Sequence, residues 1–158
     1  MYLHLNISEQ VLSVYLPEKV ITYPVSTALN GVGEAFGSGC TPRGLHTVRA
    51  KIGENLPLNA VFVGRRFTGE IYSSQLAERY PQRDWILTRI LWLSGKEPGR
   101  NRLSAVDSMR RYIYIHGTPD TEPMGIPVSH GCIRMRNADV LELYNLIPVG
   151  SELLIEEY

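Results

Sequence analysis

Arg111-Tyr112-Ile113-Tyr114-Ile115-His116 is the stretch that decides how this chain is read. It alternates with period two, so as a strand it puts Ile113 and Ile115 on one face and Tyr112, Tyr114 and His116 on the other. The aliphatic face suits a core. The other ends in a titratable ring followed by Gly117-Thr118, and Tyr112 and Tyr114 are expected to line the approach to it.

Working outward, the same grammar of short strands broken by Gly, Pro and Asn fills the first two thirds of the chain. Val11 to Leu16, Pro17-Glu18 and Val20 to Tyr23 read as a hairpin. Gly31 to Gly44 holds five glycines and Pro42 and must be a loop. Val61-Phe62-Val63 and Trp85 to Leu93 read as buried strands, the second interrupted only by Thr88 and Arg89, and Pro98 to Asn101 as a turn. The convincing helix is late: Asn137 is the expected N-cap of Ala138 to Ile147, stopped by Pro148 and Gly150, and Leu153-Leu154-Ile155 closes the chain as a strand. These elements predict a mainly β fold, a sandwich or partial barrel of short strands with one or two helices, in a single domain over residues 1–158.

Composition narrows the function. The 158 residues are 44% apolar and 20% charged, as in an ordinary globular domain with a real core. Sixteen basic residues balance sixteen acidic ones, so no net field favours nucleic acid, and Arg65-Arg66 and Arg110-Arg111 read as short solvated clusters. No apolar run approaches the ~18 residues of a membrane span. Met1 to Ile7 alternates like a strand and lacks the pattern of a signal peptide, which predicts the cytosol; a trimmed N-terminus would instead leave a periplasmic or wall setting open. Two cysteines, Cys40 and Cys132, form no disulfide framework and fit a reducing compartment.

The chemistry concentrates in His116-Gly117-Thr118 and Ser129-His130-Gly131-Cys132-Ile133-Arg134. Gly131 permits backbone angles other residues avoid and lets a substrate approach the main chain. A thiol at such a turn sits beside free N–H groups, which are expected to lower its pKa and then hold an oxyanion. A nucleophilic thiol needs a base, and His116 lies sixteen positions upstream across a loop carrying Pro119, Pro123 and Pro127. Two bland readings compete: a buried structural Cys with a satisfied His, and a zinc set of Cys40, His46, His130 and Cys132. The spacings Cys40-x5-His46 and His130-x-Cys132 match no tight zinc motif, and no metal or other cofactor is expected. Cys40 reads as an incidental thiol in the Gly-rich loop.

His116-Gly117-Thr118 with Ser129-His130-Gly131-Cys132 resembles the signature of the YkuD-type L,D-transpeptidase catalytic domain. The likeness extends over nearly the whole chain, from the Val11 to Tyr23 hairpin and Pro24-Val25-Ser26-Thr27, through Thr41-Pro42-Arg43-Gly44 and Leu87 to Leu93, to Val149-Gly150. The resemblance implies Cys132 as nucleophile, His116 as proton acceptor and donor, and Gly117 as the residue whose carbonyl orients the imidazole. It implies an oxyanion hole from main-chain N–H groups at His130 to Cys132, with Ser129, Arg134 and Tyr114 alongside in substrate binding. Many members carry Asn where this chain has Arg134; a branch has Arg there, and Arg134, with Arg110 and Arg111, is expected to meet a substrate carboxylate.

What the family acts on is the bond between the third-position diamino acid and D-alanine at position four of peptidoglycan stem tetrapeptides, through a thioester that an amine or water resolves. Carbapenems acylate such enzymes. The missing export signal favours free muropeptides and water, hence an L,D-carboxypeptidase of peptidoglycan recycling. A wall cross-linking L,D-transpeptidase is the alternative, and a zinc-stabilised or non-catalytic binding module the lesser one. The sequence leaves the oligomeric state open.

Overall fold

A computed structural model describes all 158 residues. The strands are β1 (Tyr2–Asn6), β2 (Val11–Tyr15), β3 (Val20–Pro24), β4 (Gly44–Ile52), β5 (Ala60–Val63), β6 (Arg66–Ile71), β7 (Ile86–Gly95), β8 (Tyr114–Gly117), β9 (Ile133–Met135) and β10 (Glu152–Glu156). Two α-helices join them: α1 (Ser74–Arg79) precedes β7, and α2 (Asn137–Leu146) precedes β10. All ten strands belong to one sheet, ordered β3-β2-β1-β10-β4-β7-β5-β6, with β8 and β9 branching from β7. The mainly β class expected from the alternating strands is the one observed.

β7 is the junction because both its edges are used. Ile90 pairs with Ile52 of β4 on one side and with His116 of β8 on the other; Leu87 pairs with Val61 of β5 and with Gly117. Alternation then sorts the side chains. Leu91, Leu93, Ile113 and Ile115 face the main core, which Val140, Leu143 and Tyr144 of α2 cover together with Leu3, Leu5 and Ile155. Ile90 and Tyr114 face the opposite way with Phe62 and Ala60, and Cys132 packs against that smaller cluster. Thus the aliphatic face of the 111–116 stretch is core and the Tyr114–His116 face is site. Tyr112 lies before the strand rather than in it, half exposed with φ 56°, yet lines the cleft with Tyr114 and His116 as expected.

Thr88 and Arg89, the two polar residues in the apolar run, form an irregularity in β7. The register with β8 shifts between Leu87 and Ile90, and Thr88 has φ 72°. At the bulge the Thr88 side chain is buried. It accepts from the Asn59 N–H at 3.0 Å and donates to Asn137 Oδ1 at 2.6 Å.

Asn137 corrects the expected N-cap. Arg136 has the extended backbone of the cap (φ −62°, ψ 147°), while Asn137 is the first helical residue and turns its amide inward. There Nδ2 donates to the Thr118 carbonyl (2.9 Å), Asn59 Oδ1 (3.1 Å) and Asp120 Oδ1 (3.1 Å). A buried amide with all these partners fixes the start of α2 against β7 and β8 rather than capping the helix. Gly117 lies against it: a Cβ there would run into Asn137 Oδ1 and the Leu87 carbonyl oxygen. Only glycine lets β8 lie this close.

Replacing Asn137 by Ala leaves the Thr88 hydroxyl and the Thr118 carbonyl without their partner. Each buried group so orphaned costs about 1–3 kcal/mol. Urea denaturation of Asn137→Ala should therefore show a loss in that range or above, with turnover impaired because the Gly117 end of β8 loses its support. A change below about 0.5 kcal/mol, the scale of ordinary surface substitutions, would contradict this assignment.

Candidate active site

The carboxyl end of β8 carries His116, and the turn entering β9 carries Cys132; parallel pairing of Ile115 with Ile133 and His116 with Arg134 brings the two segments side by side. The turn is held from behind by Ser26, which follows the first hairpin, and by the Gly-rich loop. Ser26 and Arg134 exchange main-chain hydrogen bonds at 2.9 Å each way. The Thr41 hydroxyl donates to the Gly131 carbonyl (3.0 Å). Gly131 has φ 130°, and an added Cβ would press on the Cys40 carbonyl at 3.2 Å, so the turn needs glycine for both reasons.

Cys132, His116, Tyr114, Ser129, His130 and Arg134 all line one cleft of about 340 Å³. His116 is buried. Its Nδ1 lies 2.6 Å from the Gly117 carbonyl oxygen, which can only accept, so Nδ1 carries the proton and Nε2 is the lone-pair nitrogen of the neutral ring. Nε2 has no partner within the chain. Burial holds the imidazole below its usual pKa, opposed by the hydrogen bond to Gly117. It is therefore a neutral base around pH 7, oriented by the atom the sequence reading assigned to it.

The thiol corrects an expectation. The Tyr114 N–H, from the neighbouring strand, donates to Sγ at 3.3 Å, and the S–H points to the Tyr112 carbonyl at 3.3 Å. Burial of the sulfur pushes the Cys132 pKa up to about 11; the Tyr114 N–H and the nearby Arg134 and Arg111 pull it back only in part. Desolvation wins over the turn's dipoles. Both groups are thereby pushed towards their neutral forms, and the thiol's own hydrogen bond goes to the Tyr112 carbonyl rather than to His116.

The main-chain N–H groups of His130 and Cys132 find no acceptor in the chain, whereas the Gly131 N–H is taken by Ser129 Oγ at 3.3 Å. Two free donors at the nucleophile are what an oxyanion requires. Ser129 itself is buried with its hydroxyl turned to the Cys132 carbonyl (2.6 Å), so it braces the turn instead of being left free for substrate. His130 is exposed at the cleft rim, 3.7 Å from Asp84. Arg134 is almost buried and donates to Asp84 at 3.2 Å; these two form the wall between the cleft and an adjoining hollow of about 310 Å³.

Arg111 is not available to substrate. Its guanidinium donates to the carbonyls of Gly33, Glu34 and Cys40 and to Ser38 Oγ, pinning the Gly-rich loop behind the Cys132 turn. The zinc set is not assembled: His46 is buried between Ser108 Oγ (2.8 Å) and the Gly44 carbonyl (3.0 Å), and the Cys40 thiol faces the carbonyls of Asn30 and Ser38. No group of three or more His, Cys, Asp or Glu side chains is gathered for a metal ion. Two contributors escaped the sequence reading. Asn137 was hidden because an N-cap was the obvious role for an Asn before a helix, and Asp84 because a lone exposed carboxylate carries no signal.

A Cys/His pair in one cleft, a carbonyl-oriented imidazole and free N–H groups at a glycine turn are the parts that cysteine acyl transfer calls for. Residues 1–155 match the family model of the L,D-transpeptidase (YkuD) catalytic domain, and the chain belongs to that family. It is 51% identical over 43 residues to a putative L,D-transpeptidase YqjB of Bacillus subtilis, a stretch that is 27% of this chain and 24% of that protein. It is 44% identical over 43 residues to a probable L,D-transpeptidase YbiS of Escherichia coli, 27% of this chain and 14% of that protein. The matches thus span about a quarter or less of these relatives' length. Among solved structures, L,D-transpeptidase 3 of Mycobacterium tuberculosis matches 99% of this chain and 60% of its own with a TM-score of 0.57 at 17% identity. A structure titled LdtMt1 in complex with imipenem matches 98% of this chain and 58% of its own with a TM-score of 0.56, also at 17% identity. At that identity the likeness is one of fold.

A thiol raised by burial predicts its own titration. Iodoacetamide reacts with thiolate, so the rate of Cys132 alkylation should climb with pH well beyond the ~8.5 of a free cysteine. Intact-mass kinetics on Cys40→Ala should show this climb towards pH 11, with no plateau near neutrality. A plateau below pH 8 would mean a resting thiolate.

Proposed function

We propose that this chain cleaves peptidoglycan stem tetrapeptides before D-alanine at position four and passes the acyl group to water, as an L,D-carboxypeptidase acting on free muropeptides. The observation that carries the acyl-transfer chemistry is the convergence, in one cleft, of the Cys132 sulfur, the unprotonated Nε2 of His116 and the free N–H groups of His130 and Cys132.

In this reading the Cys132 sulfur bonds to the carbonyl carbon as its proton passes to His116 Nε2. General-base assistance of this kind contributes about 10²–10⁴-fold in rate. Because the resting pair is neutral, no charge is buried until substrate fills the cleft, and the oxyanion then formed meets donors already in place. Collapse breaks the C–N bond, and the imidazolium returns its proton to the departing amine of D-alanine. A water, deprotonated by the same nitrogen, then hydrolyses the thioester.

Water at its bulk concentration resolves such a thioester unless an amine acceptor is bound and held in place. One feature favours the second reading, an L,D-transpeptidase of the cell wall. The hollow beyond Arg134 and Asp84 adjoins the cleft and has room for part of a second peptide, whose amine would need to be held in place to outcompete water.

Mass spectrometry of a tetrapeptide digest tests the reading. Tripeptide and D-alanine are expected, with little dimer even at millimolar peptide, and an acyl-enzyme mass on Cys132 alone. Cys132→Ala should abolish turnover with the fold intact, His116→Ala should lower it by about 10²–10⁴-fold, and Cys40→Ala should remain active. Predominant cross-linked dimer would overturn the carboxypeptidase reading in favour of the transpeptidase.

A further inference from the structure

The β5–β6 hairpin closes through Gly64 and Arg65, with Val63 paired to Arg66. Both loop residues have positive φ, 56° and 65°, the signature of a type I′ turn. Glycine, Asn or Asp is the ordinary choice at such positions, because a side chain with a bulky stem is strained in the left-handed region. An arginine there has a local cost that the turn itself does not require.

The side chain's surroundings show what offsets that cost. The Arg65 guanidinium stacks 4.5 Å from the Tyr112 ring and 5.0 Å from the Trp92 ring, and donates to the Tyr114 hydroxyl at 3.0 Å. Tyr112 holds its side of this cage with a second strained backbone, φ 56°. No carboxylate pairs with Arg65 anywhere in the fold. Yet the residue lines the cleft of Cys132 and His116. That cleft is lined by two guanidiniums and one carboxylate, and the carboxylate, Asp84, is already engaged by Arg134. Arg65 is the uncompensated charge.

Its position is also set relative to the nucleophile. Tyr114 gives its N–H to the Cys132 sulfur and takes a hydrogen bond from Arg65 on its hydroxyl, so one tyrosine spans from the sulfur to the cation. An amino acid leaving the carbonyl under attack carries its carboxylate a few bonds from the scissile nitrogen, within a comparable reach.

We propose that Arg65 is a specificity-determining residue that binds the α-carboxylate of the leaving D-amino acid, so that the enzyme requires a free C-terminus beside the scissile bond. This deepens the functional reading above and rests on its first half-reaction. A stacked guanidinium suits such a role, since the aromatic cage fixes its plane and it keeps donors free for a planar carboxylate. The strain at Arg65 and Tyr112 is then part of a preorganised site.

A tetrapeptide ending in free D-alanine, compared with the same peptide as its C-terminal amide, tests this assignment. Wild type should favour the acid in kcat/KM by about 10- to 100-fold, the worth of a charge-assisted hydrogen bond. Arg65→Gln should lose that preference through the acid alone, and Arg65→Lys should restore part of it. Arg65→Gly relieves the left-handed strain as it removes the stacking that offsets it, so its Tm should stay near wild type while the preference is lost, which separates binding from folding. An Arg65→Gln enzyme that still prefers the acid overturns the assignment. If wild type releases D-alanine from neither peptide, the functional reading fails, and Arg65 is judged separately by protection. N-acetyl-D-alanine, but not its amide, should slow iodoacetamide alkylation of Cys132 in wild type and not in Arg65→Gln. Equal protection by acid and amide, or none, overturns the assignment on that arm.

Discussion

The contact on which the site depends is the approach of Gly117 to Asn137 and to the Leu87 carbonyl. It brings β8 against the bulge of β7 and the first turn of α2, closer than any side chain would permit. Gly117 then offers its own carbonyl to His116 Nδ1, which fixes the tautomer and leaves Nε2 to the cleft. A buried amide with its hydrogen bonds satisfied anchors the far side of that contact. The imidazole's orientation is therefore transmitted from a polar network in the core and not from a carboxylate beside it. A neutral carbonyl in that role raises the base's pKa less than a buried carboxylate would, in keeping with an imidazole that burial has already lowered.

Protonation follows from the same burial. Desolvation disfavours thiolate and imidazolium alike, lowering the His116 pKa and raising that of Cys132. Beside them the main-chain N–H groups of His130 and Cys132 stay free of any acceptor in the chain. The polar residues around the pair divide by what they touch. Ser129, Thr41 and Arg111 spend their hydrogen bonds on main-chain atoms behind the turn, and Arg134 is matched by Asp84. Only Arg65 brings a charge to the cleft without a partner.

The sequence was informative where a pattern is local. Alternation over 111–116 assigned Ile113 and Ile115 to the core and Tyr112, Tyr114 and His116 to the site, because a strand's side-chain period is fixed at two whatever it packs against; Tyr112 reaches the cleft from just before the strand. Thr88 and Arg89 stood out in an apolar run, and the run is where the bulge lies. Glycine at 131, next to a cysteine, marked the turn. The motif pairing His116 with Cys132, and the family that motif resembles, were legible at the same level; the match over residues 1–155 places the chain in that family.

Tertiary structure decided what no spacing encodes. Arg65-Arg66 and Arg110-Arg111 read alike as solvated pairs, yet Arg65 is caged in the cleft of Cys132 and Arg111 pins the Gly-rich loop behind it. Asn137 read as a cap and is a core hub, since an asparagine's amide serves either purpose and only the neighbours brought by β7 and β8 select one. The thiol's pKa likewise depends on how much water the surrounding chains exclude, a sum over residues distant in sequence, so the turn's local dipoles gave the wrong sign. Periodicity and motif are properties of neighbouring residues and survive in one dimension; burial, charge pairing and desolvation exist only once the chain has folded.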